Sequence, residues 1–216
     1  MNLIEQINQK YDINETHVAT IDLPFEYIKE FRITAIIGGS GTGKSTLLRK
    51  WFNSSNTNFN FEGTLSIFEH LYENIGDFDE TSQLLFDVGL ASVPVWKNNY
   101  AQLSNGEKLR FEIAYKLSTK GENNVIFVDE FTSMLDRQVA KNLAFKINDL
   151  VRKYDKNLVI ATAHYDVLEW MKVDRMIDTT LKKAFSLQTS QHLTHMDWKS
   201  VVYQEICGEY LSNITI

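Results

Sequence analysis

Cysteine and proline are scarce in this sequence, and long apolar runs are missing. Its 216 residues include one cysteine, Cys207, and two prolines, Pro24 and Pro94. A single cysteine cannot form an internal disulfide, which is typical of proteins made in a reducing compartment. No apolar stretch approaches the roughly 18 residues of a membrane-spanning helix. Residues 1–10 lack the basic flank and apolar centre of a secretion signal. We therefore expect a cytoplasmic protein without a transmembrane segment.

Basic charge is also in short supply. The chain carries 22 lysines and arginines against 28 aspartates and glutamates, a formal net charge of −6. Such a balance provides no general attraction to nucleic acids or to anionic membranes. The hydrophobic share of 44% is ordinary for a globular protein. We expect one α/β domain over residues 1–216.

The most informative segment is residues 33–46, ITAIIGGSGTGKST, in which an apolar strand leads into a glycine-rich turn and a helix. It fits the phosphate-loop pattern GxxxxGK[ST]. Glycines let successive backbone N–H groups curl around a phosphate, and the positive end of the following helix points at the same anion. Lys44 is predicted to reach the β- and γ-phosphates and to serve catalysis, and Ser45 to hold Mg²⁺. The predicted nucleotide-binding residues here are Gly39, Ser40, Gly41, Thr42, Gly43, Lys44, Ser45 and Thr46.

A second apolar run, residues 124–131, ends in two acids. Such a run predicts a central parallel strand whose carboxyl end opens onto a ligand crevice. Asp129 is predicted to bind Mg²⁺ directly or through water, and Glu130 to act as general base on the attacking water.

Residues 103–110, LSNGEKLR, allow two compatible interpretations. Ser104 and Glu107 form the S-x-x-E pattern of a capping box in front of an amphipathic helix. The segment also resembles the LSGGQ signature of ABC-class ATPases, with Asn105 replacing the first glycine and Glu107 replacing the glutamine. A capped helix N-terminus is itself an anion site, so neither interpretation excludes the other.

Two later segments extend this resemblance. Residues 133–136, SMLD, resemble the SALD-type loop of ABC ATPases, and the strand at 157–163 leads to His164, where that family has its switch histidine. The four ordered motifs span about residues 33–180. The resemblance implies a P-loop NTPase fold of ABC type, in which a mainly parallel sheet is flanked by helices. It also implies that the protein binds ATP with Mg²⁺ and hydrolyses the ATP. It also implies catalytic roles for Lys44, Glu130 and His164, and a place for Asp136 beside the nucleotide.

The resemblance further implies an ATP-dependent homodimer with shared sites. In that arrangement Ser104, Asn105 and Gly106 of one chain face the γ-phosphate held at Lys44 of the other. Within the class, residues 129–137 and 161–166 look most like the ATPase module that some relatives carry fused to a GNAT-type acetyltransferase. No acetyltransferase half is expected in 216 residues.

Two features differ from the transporter ATPases of this class. No glutamine occurs between Thr46 and Glu80, so the Q-loop residue is missing or replaced, with Asn58, Asn60 and Glu62 as candidates. The interval between phosphate loop and signature is only about 60 residues, which predicts a reduced helical subdomain at about 62–120.

The two ends of the chain are less specific. Residues 17–25 predict a strand, and Tyr11 upstream of it either stacks on an adenine base or packs in the core. At the other end, apolar residues recur at helical spacing and predict an amphipathic helix at about 196–211. These residues are Trp198, Val202, Ile206 and Tyr210.

Three functions remain open on the sequence. The first is a soluble ATP-hydrolysing switch whose dimerisation drives a protein partner or a nucleic-acid-associated process. The second is the ATP-binding subunit of a membrane transporter, which the short insertion and the missing glutamine disfavour. The third is a nucleotide-dependent assembly module with little turnover.

Overall fold

The computed structural model describes residues 31–52, 61, 63–120, 124–180, 183–186 and 204–205. Tyr11, the strand predicted at 17–25 and the three Q-loop candidates lie outside these ranges. The strands are β1 (Ile33–Ile37), β2 (Val125–Val128), β3 (Asn157–Thr162), β4 (Arg175–Asp178), β5 (Lys183–Ser186) and β6 (Gln204–Glu205). The helices are α1 (Lys44–Phe52), α2 (Ile67–Ile75), α3 (Phe78–Asp87), α4 (Asn105–Ser118), α5 (Arg137–Lys153) and α6 (Asp166–Met171).

The six described strands form one sheet in the order β2-β3-β1-β4-β5-β6. β1 pairs in parallel with β3 and β4, and β3 pairs in parallel with β2. The last two strands add antiparallel pairs at one edge. The predicted α/β fold with a mainly parallel sheet is therefore confirmed.

The strand β2 lies elsewhere in the sheet than we predicted. A central position was expected, but β3 is its one neighbour among the described strands. Residues 126–128 of β2 are nevertheless buried, and α4 packs against the strand. A strand covered by helices reads as a continuous apolar run wherever it lies in the sheet, so the pattern does not separate a central strand from an edge strand.

The order of the strands brings three candidate segments to one edge of the sheet. Ile37 at the end of β1 is level with Thr162 at the end of β3, and Val128 at the end of β2 is level with Ile160. Because these strands are parallel, the phosphate loop, Asp129 and His164 all follow the same carboxyl edge.

A helical unit fills much of the range 62–120, where we predicted the subdomain. Ser66 caps α2 through a capping box, and Gly76 ends it in the left-handed conformation with φ of 79°. Two short 3-10 turns, Val93–Lys97 and Tyr100–Gln102, connect α3 to α4. The core contributed by this unit is fully buried and includes Leu71, Leu84, Leu85, Phe111 and Leu117.

The helix predicted at 196–211 is wrong at the two residues of that range that are described. Gln204–Glu205 form β6, which pairs antiparallel with β5 through Ser186 and Phe185. The surrounding sequence, SVVYQEI at 200–206, is rich in β-branched and aromatic residues that favour strands. In so short an apolar segment the helical and strand periods cannot be told apart.

None of the helices in the described ranges combines the length and the apolarity needed to span a bilayer.

Candidate nucleotide site

The glycine-rich loop after β1 occupies the centre of the sheet edge. All five residues of β1 are buried, and the chain leaves the sheet at Gly38 and enters α1 at Lys44. Gly41 and Gly43 have φ of 78° and 91°, a conformation that other residues adopt only with strain. The loop therefore has the glycines that it needs to turn its backbone N–H groups inward ahead of a helix N-terminus.

Lys44 folds back over this loop. Its Nζ donates to the carbonyl oxygens of Gly38 at 2.9 Å and Gly39 at 2.7 Å. The ammonium group thus lies against the loop backbone, and its predicted contact with phosphate stays a prediction. Phosphate oxygens are stronger acceptors for an ammonium group than carbonyl oxygens, so these two bonds can be exchanged for bonds to a ligand.

The end of β4 supports the loop from the other side. Thr179 donates its backbone N–H and its hydroxyl to the carbonyl oxygen of Ile37, at 2.7 and 3.0 Å. The hydroxyls of Thr179 and Thr42 are hydrogen-bonded at 2.6 Å. Gly38 fits against both threonine hydroxyls, and a Cβ at this position would collide with them. The start of the loop is therefore held by a residue more than 130 positions away.

Two predicted metal ligands meet at this edge. Ser45 Oγ donates to Asp129 Oδ1 at 3.2 Å. Mg²⁺ prefers hard oxygen ligands and is usually held by one or two protein groups together with phosphate oxygens and water. A hydroxyl and a carboxylate side by side, next to a phosphate loop, fit this requirement.

Glu130 follows Asp129 in a strained backbone conformation. Its φ is 51°, which is uncommon for a residue with a side chain, and strain of this kind is concentrated at functional sites. The Ser133 hydroxyl donates to the Glu130 backbone oxygen at 3.0 Å and lies 3.2 Å from Oε2. The Glu130 side chain remains exposed. The Glu130 carboxylate is therefore hydrogen-bonded to Ser133 and still open to solvent.

His164 lies beyond the end of β3, and its ring is oriented by two threonines. Its Nδ1 is 2.5 Å from the Thr132 hydroxyl, which is in turn 3.0 Å from the Thr162 hydroxyl. The backbone N–H of His164 donates to Thr162 at 3.1 Å. The pKa of His164 is lowered by burial and by the nearby Arg137 guanidinium.

The residue after Asp136 connects its loop to the histidine segment. Arg137 forms an ion pair with Asp166, and its guanidinium stacks on the Trp170 ring with 4.5 Å to the centroid. Asp136 itself caps α5 by accepting from the Gln138 backbone N–H at 2.9 Å. In the described chain Asp136 is thus a helix cap, and its predicted contact with nucleotide stays a prediction.

The signature segment forms the N-terminus of α4. Ser104 and Glu107 make the capping box that the sequence predicted, and the same bond to Ser104 lowers the pKa of Glu107. Ser104 and Asn105 are exposed. Gly106 packs against residues 134–135, so that a Cβ there would lie 3.0 Å from the Met134 oxygen. Among the described residues, no hydrogen bond joins this segment to the phosphate loop of the same chain.

The chain is similar to several proteins of known name or known structure. No protein-family model matches it. The sulfate/thiosulfate import ATP-binding protein CysA of Mesostigma viride is 29% identical over 205 residues, which covers 79% of this chain and 56% of that protein. The erythromycin resistance ATP-binding protein MsrA of Staphylococcus epidermidis is 27% identical, with coverage of 81% and 33%. The methionine import ATP-binding protein MetN 1 of Pseudomonas putida is 25% identical, with coverage of 76% and 60%. The chain therefore spans between one third and three fifths of these relatives.

Solved structures match at the level of the fold. An ABC transporter of metal-chelate type in an inward-facing conformation superposes with a TM-score of 0.54 at 19% identity, covering 78% of this chain and 77% of that one. RNase-L Inhibitor matches with a TM-score of 0.54 at 19% identity, covering 68% of this chain and 32% of that one. A dimeric bacterial ABC transporter cassette matches with a TM-score of 0.50 at 18% identity, covering 68% and 80%. This chain has the fold of an ABC-type ATPase.

Three residues that support the candidate site were missed by reasoning from the sequence. Thr132 and Thr179 contact the candidate site across strands, and neither stands out in the sequence as a polar residue in an apolar run. Lys116 on α4 donates to the Phe127 carbonyl oxygen of β2 at 2.9 Å, and burial lowers the pKa of its ammonium group. Lys116 thus ties α4, the signature helix, to β2, the strand that Asp129 directly follows. From the sequence alone, a lysine on an amphipathic helix is expected to lie in solvent.

Proposed function

We propose that this ABC-type domain binds ATP with Mg²⁺ and hydrolyses it. The observation that carries the proposal is the meeting of Ser45 Oγ and Asp129 Oδ1 at 3.2 Å beside the phosphate loop, with Glu130 next in the chain. One edge of the sheet thus offers groups for the phosphates, the metal and the attacking water. The relatives with ATP-binding names support the same activity.

The proposed chemistry divides among the residues as follows. The loop N–H groups of residues 39–46 and the Lys44 ammonium hold the β- and γ-phosphates. Ser45 and Asp129 hold Mg²⁺, which when bound would neutralise charge on the phosphates. Glu130 takes a proton from the attacking water, and the ring of His164 contacts the γ-phosphate. Tyr11 and Asp136 complete the proposed nucleotide contacts.

A dimer would complete this site. The exposed Ser104 and Asn105, followed by Gly106, begin a 14-residue helix whose positive end suits a γ-phosphate. In our proposal these residues face the phosphate loop of a neighbouring chain rather than their own. Gly106 also packs against Met134 and Leu135, in the loop that precedes Asp136. A structural neighbour is a dimeric cassette, which supports this assembly.

For the cellular role we favour a switch that is not part of a transporter, of the kind found fused to GNAT-type acetyltransferases. The absent glutamine and the short helical unit support it, because both belong to the region through which transporter ATPases of this class engage a membrane partner. The switch would act in the cytoplasm on a protein partner or a nucleic-acid-associated process. The likeness to import proteins CysA and MetN favours the second candidate, the ATP-binding subunit of a transporter.

The metal dependence of turnover tests the proposed activity. Purified protein should hydrolyse ATP with Mg²⁺ and stop when the metal is chelated. Asp129→Asn keeps the size of the side chain but removes the charge beside Ser45, so we expect the Mg²⁺ concentration at half-maximal turnover to rise about tenfold or more. Asp79→Asn, an exposed acid at the start of α3, is the matched control and should change nothing. ATP hydrolysis that does not depend on the metal would overturn the metal assignment. If the wild-type protein does not hydrolyse ATP at all, the result would favour an assembly module.

Affinity capture from the native host separates the two cellular roles. If the protein is a switch, it should capture no integral membrane permease, with or without ATP. Recovery of a permease in the presence of detergent, in amounts similar to the bait, would instead support a transporter subunit. Glu130→Gln should be used as a second bait, because slow hydrolysis preserves complexes that depend on bound ATP.

A further inference from the structure

Thr132 stands out because it is buried yet makes polar contacts with two groups of the candidate site. It is 6% exposed, and its hydroxyl lies between Thr162 Oγ1 at 3.0 Å and His164 Nδ1 at 2.5 Å. A buried hydroxyl without a partner is costly, so the directions of these hydrogen bonds can be worked out by requiring every donor to be satisfied.

The direction is set by Thr162, which is only 2% exposed. Its hydroxyl oxygen already accepts the backbone N–H of His164 at 3.1 Å. The proton of the Thr162 hydroxyl needs an acceptor, and within the described chain the Thr132 hydroxyl is its side-chain partner. If Thr162 donates to Thr132, then Thr132 must point its own proton at His164 Nδ1.

The reverse direction leaves a donor unsatisfied. A proton on Nδ1 would be donated to Thr132, and Thr132 would donate to Thr162. Thr162 would then accept two bonds, and its own proton would lack a partner among the described residues. The first direction satisfies every donor in the relay, and it places the ring proton of a neutral His164 on Nε2.

We propose that Thr132 is a positioning residue that holds His164 as the tautomer protonated at Nε2. This proposal rests on the function proposed above, in which His164 contacts the γ-phosphate. An Nε2–H group donates to a phosphate oxygen, whereas the other tautomer would turn a lone pair toward it. The neighbouring charges favour a neutral ring: burial and Arg137 lower the pKa of His164, while Asp166 is paired with Arg137.

Nitrogen NMR of the full chain tests the tautomer without nucleotide. Long-range ¹H–¹⁵N correlations distinguish the two neutral tautomers, and the His164 signal is assigned as the one lost in His164→Gln. Wild type and Thr132→Ser should show one neutral form with Nε2 protonated. Thr132→Val removes the hydroxyl at similar volume and should show a mixture of both forms. A wild-type ring protonated at Nδ1, or equal mixtures in wild type and Thr132→Val, would overturn the proposal.

ATP hydrolysis provides the second measurement. We expect Thr132→Val to lower kcat about 10- to 100-fold, with KM within about threefold, because misplacing an orienting partner costs rate by that order. Thr132→Ser should restore most of the rate. If Thr132→Val fails to fold, the smaller Thr132→Ala also removes the hydroxyl that faces Nδ1 and should mix the tautomers in the same way. If His164→Gln hydrolyses ATP at the wild-type rate, the role of the histidine in the proposed function is refuted. The proposed tautomer is judged separately, by the NMR spectrum.

Discussion

Lys44→Ala should lower kcat/KM for ATP about 100-fold or more. The ammonium group now bonds to two loop carbonyl oxygens, and no other cation of the described chain is hydrogen-bonded to that loop. A bond between a charged donor and a charged acceptor contributes about 1.5–3 kcal/mol, and 1.4 kcal/mol corresponds to a factor of ten. Losing contacts to both the β- and γ-phosphates therefore accounts for a hundredfold effect. Steady-state hydrolysis and titration with a fluorescent ATP analogue measure it.

The fold should tolerate this change. Lys44 is only half-buried, so we expect the free energy of unfolding to fall by about 1 kcal/mol, or about 2–4 °C in Tm for a domain of this size. Lys50→Ala is the matched control, since it removes the same charge from an exposed position of the same helix. Turnover of Lys44→Ala within about threefold of wild type, beside an unaffected Lys50→Ala, would refute the assignment of this loop.

The local part of the site was predictable because its chemistry lies in short stretches of sequence. The phosphate loop, from Gly38 to Ser45, follows directly on a strand, and the spacing of its glycines reflects the backbone angles that it needs. Asp129 was predictable for a related reason: an apolar strand places whatever follows it at the edge of the sheet. The same logic located His164 two residues beyond β3.

The supporting part of the site could not be predicted, because it depends on pairs of residues far apart in the chain. Thr179 braces Gly38 only because β4 lies beside β1, and Thr132 orients His164 only because β2 lies beside β3. A single threonine in sequence does not reveal which strand it will face. The strand at Gln204–Glu205 was missed for a different reason, since pairing with β5 outweighed a weak helical pattern.

Glu130→Gln should bind ATP but hydrolyse it about 100- to 10,000-fold more slowly than wild type, because the amide cannot take a proton from water. The amide oxygen can still accept from the Ser133 hydroxyl, and the φ of 51° is as accessible to glutamine as to glutamate. Slow hydrolysis should let the ATP-bound dimer accumulate. Sizing chromatography with light scattering should show a dimer with ATP and Mg²⁺, and a monomer with ADP.

The decisive comparison adds Ser104→Arg to Glu130→Gln. A bulky cation at the exposed N-terminus of α4 should block the approach of a neighbour's γ-phosphate and return the protein to monomer. Ser104 also caps its helix, and losing a cap costs about 1 kcal/mol, so the control must lose a cap as well. Ser66→Arg does this, because Ser66 makes the same capping box with Glu69 on α2, outside the signature. If both arginine variants dissociate the dimer, cap loss explains the effect. If neither variant dissociates the dimer, or if dimerisation does not depend on nucleotide, Ser104 is only a helix cap and the proposed shared site is wrong.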